Sequence, residues 1–86
     1  MPRYLTSHNM ACMTRQGARA LAERLRASTE VEFLRLLASM TEGQLLAEFN
    51  ATSREALQRF MQQSAIHFEW MWRVDFEATR EEFGDL

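Results

Sequence analysis

The stretch from Thr41 to Glu55, TEGQLLAEFNATSRE, constrains this chain more than any other. Glu42-Gly43 lies between two apolar runs and signals a hairpin, in which Gly43 can take the left-handed conformation. Gln44 to Asn50 reads as a strand, with Leu45, Ala47 and Phe49 on one face and Leu46 and Glu48 on the other. Thr52 followed by Glu55 reads as a capping box: the Thr52 hydroxyl accepts from the Glu55 amide, and the Glu55 side chain reaches back. A hairpin that feeds a strand, and a strand that feeds a helix, fix the polarity of everything around them.

Upstream, Arg3 to Met10 is β-rich and alternates. Tyr4, Thr6, His8 and Met10 share one face; Leu5, Ser7 and Asn9 share the other. Thr14 can cap a helix over about Arg15–Ala27, where Ala18, Leu21, Ala22 and Leu25 form one apolar stripe. Gly17 weakens its first turn by up to ~1 kcal/mol. Val31 to Ser39 supplies the first arm of the hairpin. On strict alternation, Val31, Phe33, Arg35 and Leu37 oppose Leu34, Leu36 and Ala38. Downstream, Ala56, Leu57, Phe60 and Met61 mark the buried stripe of a second helix, and no glycine or proline marks its end. Phe68, Trp70, Trp72, Val74 and Phe76 then alternate with polar residues, which predicts a fourth strand over Phe68–Phe76. The tail from Ala78 to Leu86 is acidic and reads as a short helix capped at Thr79, or as a loose arm.

The order is therefore β-α-β-β-α-β in one domain spanning residues 1–86, with 78–86 as the tail. That order defines an α+β, ferredoxin-like arrangement: a four-stranded antiparallel sheet with both helices on one face. A chain of 86 residues buries a modest core, and apolar residues on both sheet faces predict a homodimer. Net charge is −2, which argues against nucleic acid or an anionic membrane as partner. All ten basic residues are arginine, so lysine chemistry is excluded. The lone cysteine, Cys12, excludes an internal disulfide. No run approaches the roughly 20 apolar residues of a membrane span, and a cytoplasmic location is expected.

The strand-one run RYLTSHNM and the passage EGQLLAEFNATSREAL together resemble a family of small bacterial proteins of unknown function. That family has nickel-binding members and belongs to the dimeric α/β-barrel superfamily. The resemblance implies a dimeric α/β barrel and directs attention to His8, at the end of strand one. The chain departs from the family at Ala47, where cysteine is common, and at Thr52, where proline is. Muconolactone isomerases and small antibiotic-biosynthesis monooxygenases share the architecture, and the run HFEWMWRV is loosely similar to their last strand.

Only two histidines are present, His8 and His67. With strand four antiparallel to strand one, His8 is expected to meet His67 and Glu69. With strand three taken as parallel to strand one, Glu48 and Asn50 are expected at the same end. His8, His67 and Glu48 then form a candidate site for a divalent metal, nickel, zinc or copper. The alternative is a cofactor-free isomerase or monooxygenase with His8 as catalytic acid/base, since histidine titrates near neutral pH. Tyr4, Glu48, Trp70 and Arg73 are the expected ligand-binding residues, and no organic cofactor is predicted. The blander expectations are a hydrogen-bonded His8 in a half-buried strand, His67 on a loop, and the tryptophans as core or interface. Met10, Cys12 and Met13 offer soft sulfur for Cu(I), although methionine more often fills gaps. Glu48 and Arg73 are expected to share a face and to pair there. Arg15, Arg19 and Arg26 read as a solvated face able to hold the acidic tail of a partner chain.

Overall fold

A computed structural model describes residues 1–10 and 13–86. Cys12, one of the three residues of the sulfur cluster expected after strand one, lies outside the described residues, while Met10 is buried in the core and Met13 packs against it. The elements are β1 (Arg3–Asn9), α1 (Arg15–Ala27), β2 (Glu32–Ser39), β3 (Gln44–Asn50), α2 (Arg54–Gln63), β4 (Trp70–Val74), β5 (Phe76–Ala78) and β6 (Phe83–Asp85). The first four strands in the order β2-β3-β1-β4 form an antiparallel sheet, and β5 pairs with β6 as a separate hairpin. The α+β arrangement, with two helices and this strand order, is consistent with a ferredoxin-like fold.

Every neighbouring pair in the sheet is antiparallel, which corrects the expectation that β3 runs parallel to β1. In a βαβ unit the parallel strands are β1 and β2, and β3 enters between them in the reverse sense. Glu48 consequently sits opposite Leu5, while His8 sits opposite Leu45.

The register sorts side chains between faces, since directly opposed residues point the same way. Tyr4, Thr6 and His8 lie with Phe49, Ala47 and Leu45, and with Arg73 and Met71. This is the helix-covered face. Its core joins Tyr4, Leu45, Phe49 and Met71 to Leu25 of α1 and to Leu57, Phe60 and Met61 of α2. Phe49 packs tilted rings on Phe33 and Phe60, with centroids 5.8 and 6.5 Å away. The other face carries Leu5, Ser7, Leu46, Glu48, Trp70 and Trp72, and no helix among the described residues covers it.

Strand four is shorter than the expected Phe68–Phe76. It spans five residues and breaks at Asp75. Its tryptophans face away from the helices, and Met71 enters the core instead. β2 carries an irregularity between Phe33 and Arg35, so Phe33 opposes Phe49 while Leu36, not Arg35, opposes Ala47. One extra residue in a strand inverts the alternation beyond it. Arg35 and Leu37 are thereby sent to the open face.

The helix ends are local matters. Thr14 caps α1 as expected, accepting from the Gly17 amide at 3.0 Å. The cap of α2 is Ser53 rather than Thr52; its hydroxyl accepts from the Ala56 amide at 3.0 Å. Glu55 lies in the first turn, where a carboxylate suits the helix dipole. The end of α2 is a Schellman turn built on alanine. Ala65 has φ 56°, Ile66 N donates to Met61 O and Ala65 N to Gln62 O. Gly43 has φ 66°, the left-handed conformation the hairpin requires. The tail is neither a helix nor a loose arm but the β5–β6 hairpin. Thr79 Oγ1 accepts from the Glu81 and Glu82 amides in its turn, and Phe76 stacks on Phe83.

Candidate functional site

His8 ends β1 on the helix-covered face and is 6% exposed. Its ring is held from both sides. Nδ1 lies 2.7 Å from the His67 carbonyl, and Nε2 lies 2.8 Å from Thr6 Oγ1. A carbonyl oxygen can only accept, so Nδ1 carries a proton and donates it. Nε2 is then the nitrogen whose state can change.

Thr6 makes that change readable. Its Oγ1 also lies 3.3 Å from the Ala47 carbonyl. A hydroxyl has one hydrogen to give. With His8 neutral, Thr6 donates to Nε2. With His8 charged, Nε2–H donates to Thr6, and the Thr6 proton turns to Ala47. Burial lowers the His8 pKa below 6.5; the bond to the His67 carbonyl and the charge of Glu69 oppose that shift. The neutral form, with a lone pair on Nε2, is favoured near neutral pH.

The expected approach of β4 to the end of β1 is present, since the Glu69 amide donates to the Ser7 carbonyl at 2.7 Å. The contact from His67 to His8 is through its backbone carbonyl, and His67 is exposed. Glu48 lies toward the other end of the sheet, on the opposite face. There it pairs with Arg35 and approaches Arg3 Nη1 at 3.9 Å. Among the described residues no group of three His, Cys, Asp or Glu side chains is placed to hold a metal. The set His8, His67 and Glu48 therefore does not fit a shared ion.

The expected ligand residues divide in the same way. Tyr4 is buried in the core with the Arg54 guanidinium over its ring, 5.9 Å from the centroid. Arg73 stands opposite Tyr4, so it cannot pair with Glu48 across the sheet; its nearest acid is Asp75 at 3.9 Å. Trp70 lies on the open face, stacked on Trp72 with centroids 4.1 Å apart. Beside Trp70 in the register, Ser7 Oγ lies 3.4 Å from both Gln44 Oε1 and Glu69 Oε1.

Two clefts flank the His8 end. One, of about 360 Å³, is lined by Gln58, Met61, Gln62, Ile66, His67 and Phe68. The other, of about 420 Å³, is lined by Asn9, Met10, Met13, Thr14 and Gly17. The role of Thr6 was missed from sequence. Its alternation with His8 two residues on was the signal, since side chains two apart on a strand share a face.

The class of protein that fold and topology define is a small ferredoxin-like α+β protein. Among solved structures, the crystal structure of SCO4226 from Streptomyces coelicolor A3(2) is similar, with a TM-score of 0.75 at 18% identity over 88% of this chain and 99% of that one. The likeness shows a shared fold. No model of a known protein family matches the chain. No curated protein matches it either. No helix among the described residues is long and apolar enough to cross a membrane.

Proposed function

We propose that the protein is a homodimer, joined through its open sheet face, that takes a small organic molecule into the cleft beside Phe68 and exchanges a proton with it through His8. The observation that carries this reading is the fixed His8 ring. A carbonyl holds Nδ1–H, so Nε2 is left as the basic atom. The residue supplying that carbonyl, His67, also lines the cleft. Met61, Ile66 and Phe68 offer an apolar wall there, and Gln58 and Gln62 supply amides to orient a polar group. An isomerisation needs only a group able to take a proton and return it at another carbon, and one histidine suffices. The dimer reading rests on the uncovered face, where Trp72 is 58% and Leu37 51% exposed.

A second reading has one specific support. A histidine whose Nδ1–H is held by a backbone carbonyl has the tautomer common among metal-ligating histidines, and the ion would replace the Thr6 hydroxyl at Nε2. A divalent metal, such as nickel, zinc or copper, would then bind His8 with ligands from outside the predicted set. Calorimetric titration of chelator-stripped protein with Ni²⁺, Zn²⁺ and Cu²⁺ separates the readings when paired with NMR screening of small aromatic and enolisable compounds. The first reading expects no metal uptake that depends on His8. It also expects compounds that shift the Phe68 and His67 amides in wild type and His8→Gln alike, with proton exchange lost in the variant. Micromolar metal binding abolished by His8→Gln would overturn it in favour of the second.

A further inference from the structure

The chain separates its charge. Residues 15–27, helix α1, hold four arginines and one glutamate, whereas residues 75–86 hold five carboxylates and one arginine. The two segments lie at opposite edges of the sheet, because α1 packs beside β2 and the β5–β6 hairpin continues from β4. Three strand spacings of about 4.8 Å separate those edges. The hairpin cannot bring its acids to α1 of its own chain.

Each side of this separation is half of a contact. Between α1 and the free edge of β2 runs a groove of about 610 Å³, with Ala18, Ala22, Phe33 and Leu36 in its wall and Arg19 and Arg26 along it. The hairpin pairs with itself and is tied back to the sheet by Arg3 Nη1 donating to Glu77 Oε2 at 3.0 Å. It presents a stacked aromatic pair, Phe76 and Phe83, exposed by 56% and 66%. Asp85 stands opposite Phe76 in the hairpin register, and Glu81 and Glu82 lie in the turn at its tip. An apolar groove with cations along it matches an apolar hairpin with anions along it.

We infer that the β5–β6 hairpin of one copy seats in the α1–β2 groove of a second copy, and that the second returns the contact. This rests on the homodimer reading above and specifies its geometry. Two open faces can meet about a two-fold axis running along the strands or across them. An axis across the strands lays β2 on β2 and brings the arginine groove of one copy beside that of the other, which like charges oppose. An axis along the strands lays β4 of one copy over β2 of its partner. Val74, Arg3, Asn50 and Glu32 share one end of the sheet, and this axis preserves that end. The hairpin following Val74 therefore emerges where the partner's β2 begins. Each hairpin strand has three residues. At about 3.3 Å each they reach ~10 Å, the spacing between packed sheets, which brings the Thr79–Glu82 turn level with the free edge of the partner's β2.

The test is a charge swap on the full chain, with self-association measured by sedimentation equilibrium. Arg19→Glu/Arg26→Glu and Glu81→Arg/Glu82→Arg change exposed side chains, and Thr79 holds the hairpin turn through backbone amides, so both variants should fold; circular dichroism checks this. Each variant alone should dimerise about tenfold or more weakly than wild type. An equimolar mixture should form heterodimers of near wild-type affinity, because every groove then meets a hairpin of opposite sign. Variants that dimerise as tightly as wild type overturn the inference and leave the homodimer standing. Weakened variants that the mixture fails to rescue also overturn it. A wild type monomeric at millimolar concentration overturns both this contact and the homodimer on which it rests.

Discussion

The two faces of the sheet are built to different rules, although the same strands supply both. On the helix side, Phe49, Leu45 and Leu57 are fully buried, and the polar groups present, Thr6 and His8, are hydrogen-bonded. On the open side, Glu48 and Ser7 are buried while Trp72 and Leu37 remain wet. A face of the first kind completes itself within one chain. A face of the second kind hides its polar groups and exposes its apolar ones, the reverse of what a solvated surface needs. That inversion is the physical case for a partner on the open side.

The largest effect should come from breaking the closed face. Phe49→Ala removes the ring that joins Phe33 to Phe60 and should cost about 3–5 kcal/mol in urea unfolding. Trp72→Ala removes a larger side chain from the open face, yet under dilute, monomeric conditions should cost less than about 1 kcal/mol. Equal costs would show that the faces are not distinct.

Next comes Glu48, the buried charge of the open face. Glu48→Ala leaves Arg3 and Arg35 without their shared acid. Arg35 is 61% exposed in its side chain and can return to water, whereas Arg3 is 21% exposed and its Nε is already buried without a partner. The expected loss is about 1–2 kcal/mol, below that of a fully buried pair. A loss that shrinks sharply in 1 M salt would mean the network is solvated and the open face is ordinary surface.

The order of elements was legible because hairpin, strand and cap signals sat at short range around Gly43 and Ser53. The face of each strand was less so. Strict alternation assigns Arg35 and Phe33 together, and only the irregularity in β2 parts them. Nothing in FLR announces it. The alternation in β4 put Trp70, Trp72 and Val74 on one face, as the register has them, while Phe68 before the strand packs on the core; the chain could not say which face met the helices. Met71 and the tryptophans are all apolar, and the choice belongs to packing. The strand directions were legible in principle, since a β-α-β-β order dictates them. The candidate site was misassembled through that one inversion of β3, which carried Glu48 to the wrong end.

The end of α2 was illegible for a different reason. Ala65 occupies a left-handed position that glycine usually fills, so no residue marked the stop. The alanine β-carbon costs about 1 kcal/mol there. Ala65→Gly should therefore raise stability by about 0.5–1 kcal/mol, net of the entropy glycine adds to the unfolded chain. A loss would mean that the α2 terminus is held by Ile66 and Met61 packing rather than by the turn.

The smallest effect is a slope rather than a loss, and it sharpens what distinguishes the closed face. His8 is its one titratable imidazole, held neutral chiefly by burial, with a pKa below 6.5. The unfolded chain takes up a proton at that histidine before the folded chain does as pH falls. Stability from this group is fully present above the unfolded pKa, declines as pH drops from 6.5, and is gone below the folded pKa. Thermal unfolding followed from pH 8 downward should show melting temperature falling through this window, before the carboxylates titrate. In His8→Asn, whose amide nitrogen falls near the Nδ1 position and retains a donor for the His67 carbonyl, the decline should be absent. A decline that persists in the variant would mean that His8 is not its source, and would place that source outside the closed face altogether.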